Sequence, residues 1–340
     1  MSAAEMKDDC PEPDPALAVT EGILPLADPL RLHFGGELEG ARLAWRLVGP
    51  PGAPVVLAMG GISAHRSVAA EDGGWWAPLI GSGRAVCTAR YRVLGIDYLG
   101  GSGASTGPTR GATDFPTLSA RDQADAIVAL LDALDIARLH AVVGASYGGM
   151  VALSLGERHP TRVERLVVIS AAERAHPLSA AWRSIEREIV RFGIARGDGT
   201  GGLKLARALA MTTYRTPREF KERFQGEATL SDGRWRLPVE DYVYARGDAY
   251  VAVHVPEAFV CLSESIDLHA VDASTIPTPT LAIAVREDQL VPLADVEALV
   301  ERLPNGRLAI LESRYGHDAF LKEGLEFLPL LSSFLAGPAR

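Results

Sequence analysis

The sequence predicts an α/β fold: a mostly parallel sheet with helices on both faces, interrupted by a long helical insertion. Three observations predict it. Six short, continuously apolar runs recur along the chain: VVLAM at 55–59, YRVLGI at 91–96, LHAVVG at 139–144, RLVVIS at 165–170, TLAIAV at 280–285 and RLAIL at 307–311. Runs of that length without polar alternation suit strands covered on both faces. Helical patterns at 119–135, 147–158, 293–303 and 318–335 alternate with them, which implies right-handed crossovers within one sheet. Between about Ala172 and Ile276 the alternation stops, and helical patterns run on without a core-type strand. That stretch is expected to form a lid over the carboxyl edge of the sheet; the alternative is a separate helical domain.

The first 29 residues hold seven acids, one base and five prolines. Such a segment buries too little apolar area to offset its ordering entropy, so it is expected to be a disordered tail. Order is expected from Leu30, where LRLHF and ARLAWRLV alternate around Gly35 and Gly36 as an antiparallel hairpin. The resulting division is 1–29 tail, 30–171 and 277–337 core, and 172–276 lid.

Composition narrows the function. A chain that is 47% hydrophobic and 23% charged is not disordered throughout. A formal charge of −9 argues against nucleic acid or an anionic membrane as the main partner. No apolar run approaches the roughly 20 residues that span a bilayer. The N-terminus lacks the basic and apolar regions of an export signal. Cys10, Cys87 and Cys261 are too scattered for a disulfide framework or metal site, and their odd number reads as reduced thiols in the cytoplasm.

The sharpest motif is Gly144-Ala145-Ser146-Tyr147-Gly148-Gly149, which fits G-x-S-x-G between a strand and a helix. A serine on that strained turn is presented for nucleophilic attack, and the helix amides lie where an oxyanion would develop. The alternative is a glycine-rich turn that only packs helix on strand. A serine nucleophile needs a base and an orienting acid, in the order Ser, acid, His when the elbow belongs to an α/β-hydrolase fold. Asp288 follows the strand TLAIAV, and His317 follows the last strand. Glu287 competes as the acid. His33, His65, His140, His159, His176, His254 and His269 compete as the base, but none follows a terminal core strand. The second oxyanion amide, beside that of Tyr147, is expected from the loop Met59-Gly60-Gly61-Ile62-Ser63, with Met59 first and Gly60 next.

Further stretches carry a resemblance. LGGSGASTGP (99–108), DFPTLSARDQADA (114–126), VVGASYGGMVAL (142–153), MTTYR (211–215), FVCLSESIDLH (259–269) and YGHDAFL (315–321) resemble the homoserine O-acyltransferase (MetX-like) branch of the α/β-hydrolase superfamily, over roughly residues 30–336. The resemblance implies transfer of an acetyl or succinyl group from coenzyme A to homoserine, or in one sub-branch to serine, in methionine and related amino-acid biosynthesis. Acyl-CoA is then a co-substrate, with no metal or prosthetic group. It supports Ser146, Asp288 and His317 as a triad, and implies Arg215 and Asp318 as residues that bind the amino acid. Read without it, Arg215 is a solvated helix-end arginine and Asp318 a helix cap. MGGIS replaces the HALTG-like loop usual in the branch, and Tyr147 stands where Met is common.

Acyl choice turns on charge. A succinyl donor calls for a cation, with Arg286 and Arg66 as candidates; an acetyl donor suits apolar Leu290, two residues past the acid, where the resemblance places donor selection. The MGGIS loop inclines the reading to homoserine O-succinyltransferase. Homoserine O-acetyltransferase, serine O-succinyltransferase and a plain esterase or thioesterase follow in that order. Homoserine and serine differ by one methylene, worth about 1–3 kcal/mol in such a pocket. The apolar load of 203–213 and 255–267 predicts a homodimer through the lid helices.

Overall fold

A computed structural model describes Cys10, residues 18–112 and residues 114–337. The apolar runs become strands: β1 (Val19–Pro25), β2 (Leu30–Arg31), β3 (Glu37–Leu38), β4 (Arg42–Val48), β5 (Val55–Met59), β6 (Arg92–Ile96), β7 (Ala141–Ala145), β8 (Leu166–Ile169), β9 (Thr229–Ser231), β10 (Arg234–Arg236), β11 (Thr280–Val285) and β12 (Gly306–Leu311). The helices are α1 (Ala120–Ala133), α2 (Tyr147–Arg158), α3 (Pro177–Ala195), α4 (Gly199–Tyr214), α5 (Pro217–Arg223), α6 (Pro238–Val251), α7 (Pro256–Asp267), α8 (Leu293–Arg302), α9 (Ala319–Lys322) and α10 (Gly324–Ala336).

Eight strands form one sheet in the order β1-β4-β6-β5-β7-β8-β11-β12. From β6 to β12 every neighbour is parallel, while β1 and β4 run antiparallel at one edge. All residues of β7, β8 and β11 are buried, as unbroken apolar runs require when both faces are covered. On one face α1, α2 and α8 pack through Ile127, Leu130, Leu153 and Leu299. On the other, Trp76, Leu79 and Ile80 of the loop before β6 pack with Phe327 and Leu331 of α10.

The helix expected at 318–335 divides after Lys322. Gly324, where α10 begins, passes so near Pro78 that a Cβ would lie 2.5 Å from its carbonyl oxygen. Between β8 and β11 stand α3 to α7 with the small β9–β10 hairpin. Val190, Leu203, Ala206, Tyr250 and Phe259 form a small core of their own there.

Three expectations need correction. Val19–Pro25 lies within the stretch read as a tail but is a strand, paired with β4 from Val19↔Val48 to Pro25↔Arg42. It is held at a sheet edge by backbone bonding and by Glu21 against Arg46, which composition does not report. The rest of the first 17 residues, Cys10 apart, lies outside the described residues. The hairpin at Gly35–Gly36 shrinks to β2 and β3, because β4 takes β1 and β6 as its partners instead. The three cysteines are not all thiols: Cys10 and Cys87, 77 residues apart, form a disulfide, leaving Cys261 free. A long-range pair of this kind has no spacing signature, so the odd count carried no information on compartment. Among the described residues no helix is long and apolar enough to cross a membrane.

Candidate active site

Ser146 sits between β7 and α2 with φ 54° and ψ −122°, a strained turn for a residue with a side chain. Glycine at both flanks is a matter of space. A Cβ on Gly144 would lie 2.2 Å from the Gly148 carbonyl oxygen, and one on Gly148 would lie 2.5 Å from that of Met59. Gly148→Ala is therefore expected to cost about 1–3 kcal/mol through overpacking, read as a lowered midpoint in urea unfolding. An unchanged midpoint would show that the elbow yields freely.

His317 lies in the turn Gly316–Asp318 beyond β12. Its Nε2 is 2.9 Å from Ser146 Oγ and its Nδ1 is 2.7 Å from Asp288 Oδ2. The other Asp288 oxygen accepts the amides of Leu290 (2.8 Å) and Val291 (3.1 Å), so the carboxylate is fixed in orientation. Burial alone would push the imidazole down. The Asp288 charge and hydrogen bond, with the Asp318 charge behind them, hold it above its ordinary value. Glu287 turns away and accepts the Ser313 amide. His140 lies against Glu164, and His159 against Asp125. Of the competing histidines only His176 lines the same cavity, and its ring caps the start of α3.

The cavity over Ser146 measures about 220 Å³. Its apolar wall includes Ile62, Met150, Trp182, Phe259 and Leu290; its polar wall includes Arg183, Glu186, Arg207 and Asp318. Met59, expected as an oxyanion donor, is the last residue of β5, buried and in register with Gly144. The Gly60 carbonyl accepts from the Tyr98 hydroxyl (2.8 Å) and the Gly148 amide (2.9 Å). The cavity wall begins one residue later, at Gly61. The Tyr147 side chain is buried, its hydroxyl 2.7 Å from that of Ser265 on α7, so it ties the elbow to the insertion.

Arg215 and Asp318 meet each other: Arg215 Nε donates to Asp318 Oδ2 at 2.8 Å, and Nη1 to Glu219 Oε1 at 3.1 Å. Arg215 is buried, which excludes the solvated helix-end reading. Asp318 and Arg207 stand between the catalytic cavity and a second, polar one that Arg215 lines. Both cations expected for an acyl carboxylate are elsewhere. Arg286 is half exposed and pairs with Glu312 at 3.3 Å, while Arg66 pairs with Asp97. Neither lines the cavity. Arg286 follows the last residue of β11, and its side chain is held at the surface by Glu312, just past the end of β12.

Arg183, Glu186 and Arg207 escaped sequence reading. A signal existed: Trp182, Glu186 and Val190 recur at four-residue spacing, so a carboxylate sits on the inward stripe of α3.

The parallel sheet and the strand–turn–helix at Ser146 have the form of an α/β-hydrolase fold, and the family description "alpha/beta hydrolase fold" matches residues 54–324. A homoserine O-succinyltransferase of Xanthomonas campestris pv. campestris is 48% identical over 299 residues, 86% of this chain and 78% of that protein. A homoserine O-acetyltransferase structure from Bacillus anthracis superposes with TM-score 0.84 at 20% identity, covering 95% of this chain and 99% of that one. Esterase E22 does so equally well, with TM-score 0.84 at 19% identity, 94% of this chain and 100% of that one. Likeness of fold therefore does not separate transferase from esterase. The sequence relationship does: the chain belongs to the homoserine O-acyltransferase family of α/β-hydrolase-fold enzymes.

Proposed function

We propose that the protein transfers a succinyl group from succinyl-CoA to the hydroxyl of L-homoserine through a seryl acyl-enzyme. The observation that carries this is the unbroken hydrogen-bond chain from Ser146 through His317 to Asp288, opening into a cavity roofed by the α3–α7 insertion. His317 takes the Ser146 proton as Oγ bonds to the thioester carbonyl carbon. The C–S bond then breaks, and the proton passes to the departing sulfur. Homoserine enters, His317 takes its hydroxyl proton as that oxygen bonds to the acyl carbon, the bond from Ser146 Oγ to the acyl carbon breaks, and Oγ recovers the proton from His317. The Gly60, Gly61 and Tyr147 amides have no hydrogen-bond partner among the described residues, which supports the loop after β5 and the first residue of α2 as the source of donors to the tetrahedral oxyanion. Arg215 and Asp318 are proposed to hold the carboxylate and ammonium of the acceptor. Their pairing keeps both charges compensated while the site is empty. The insertion is proposed as a lid whose exclusion of water favours transfer over hydrolysis. The test is thiol release with each pairing of succinyl-CoA or acetyl-CoA with homoserine or serine. Fastest turnover of succinyl-CoA with homoserine is expected; fastest turnover of any other pair would overturn the assignment.

A homodimer through the lid is part of the proposal. Most of the apolar load of 255–267 turns inward, with Ala258, Phe259 and Leu262 buried. What remains outside is a patch of Ile185 and Phe192 on α3 with Leu205 on α4, each more than half exposed. Such a patch is a mark of an interface. Phe192→Asp is expected to convert a dimer to a monomer in light scattering at micromolar concentration. A wild-type monomer would remove the idea.

A further inference from the structure

Glu186 lines the catalytic cavity, is only 3% exposed, and has no hydrogen-bond or ion-pair partner among the described residues. Arg207 lines the same cavity. Its guanidinium is stacked over Tyr250 (4.6 Å) and Tyr214 (5.1 Å), and its hydrogen bond is to the Tyr214 hydroxyl at 3.3 Å. No carboxylate lies within ion-pair distance of it among the described residues. Nearby, Arg183 and Arg187 share the single carboxylate of Asp267, at 2.7 and 2.5 Å. Arg183, Arg187 and Arg207 thus face Asp267 and Glu186 inside the insertion, and beyond these Arg207 feels only Asp318, which is already bonded to Arg215. A buried cation without an anion of its own is costly, and a bound anion relieves it.

We infer that Arg207, with Glu186 beside it, receives the distal carboxylate of a dicarboxylic acyl group carried to Ser146. The planar guanidinium, set against both rings, presents its remaining N–H groups as a fork. A second carboxyl against a bound carboxylate is favourable only when it carries a proton. Burial pushes Glu186 up to about 7, so near neutrality it can supply that O–H. The same pair offers an acceptor zwitterion a cation and an anion. The lack of a carboxylate within ion-pair distance of Arg207 among the described residues, and the presence of Arg215 and Asp318 for that task, favour the donor. The inference deepens the succinyl reading above and rests on it.

The test isolates the donor half-reaction. Acylation of Ser146 is followed by quenched-flow mass spectrometry without acceptor, using succinyl-CoA and the uncharged, equally long butyryl-CoA. Wild type is expected to favour succinyl-CoA strongly. Arg207→Met is expected to lower the succinyl-to-butyryl rate ratio by on the order of 100-fold, and Arg207→Lys to lower it less. Glu186→Gln, which still donates a hydrogen bond, is expected to keep the ratio. Should wild type not favour succinyl-CoA, the donor assignment and this inference fall together. Should wild type favour it while Arg207→Met loses both acylations equally, or keeps the ratio and raises KM for homoserine, only the inference falls. Arg207→Lys and Glu186→Gln keep the question open to measurement if the methionine variant melts early.

Discussion

Ser146→Ala is expected to lower acyl transfer by on the order of a millionfold, as removal of a triad nucleophile does elsewhere, with the melting temperature little changed. The expectation follows from position. Ser146 Oγ is the hydroxyl that faces His317 Nε2, at 2.9 Å. The rival is Ser170, which also lines the cavity, stands at positive φ after β8, and has a buried hydroxyl with no partner among the described residues. Ser170 has no base beside it, so its hydroxyl stays a poor nucleophile. A fluorophosphonate should label wild type and leave the alanine variant unlabelled. Label on Ser170, or transfer surviving in the alanine variant, would move the nucleophile.

The second large effect concerns Arg215. Truncation to alanine strands Asp318 and leaves Glu219 with Arg223 alone at 3.4 Å, both carboxylates being buried. A cost of about 3–5 kcal/mol in stability is expected, so unfolding must be measured beside kinetics. Among folded molecules the acceptor half-reaction should fall by about 2–5 kcal/mol, far more than acylation. The pH profile separates binding from scaffolding. Asp318 contributes to holding the His317 imidazole above its ordinary value, and a base with a raised pKa becomes active only at higher pH. With Arg215 gone the Asp318 charge acts unopposed, and the acidic limb of the acylation rate should move to higher pH. Asp318→Asn removes that charge, and the limb should move to lower pH. Equal loss of both half-reactions with no movement of the limb would make Arg215 a structural residue.

Much of this was legible in the chain. Continuous apolar runs place six core strands because burial on both faces leaves no room for polar alternation, and β7, β8 and β11 are buried throughout. The elbow was legible because Gly144 and Gly148 answer a steric demand that only glycine meets. Asp288 and His317 were legible because strand ends at one sheet edge converge. Other features depend on partners remote in sequence. Edge strand β1 exists through β4, and Cys87 finds Cys10 across 77 residues. The second oxyanion amide was legible only as a loop: Met59 ends both the apolar run and β5, and the choice among Met59, Gly60 and Gly61 turns on amide directions that composition does not carry. Arg207 and Glu186 belong to α4 and α3, helices whose packing on each other decides which side chains turn inward. Arg286 and Arg66 had the right charge, but each is engaged by a carboxylate outside the cavity, Glu312 and Asp97.

The most direct measurement is intact-mass spectrometry of the wild-type protein, quenched within one turnover after mixing with succinyl-CoA alone and then chased. A single succinyl adduct on Ser146 is expected, with stoichiometric release of coenzyme A. Homoserine should discharge that adduct to O-succinylhomoserine much faster than water discharges it to succinate. No adduct before homoserine is added, or discharge at one rate with and without it, would contradict a ping-pong acyltransferase.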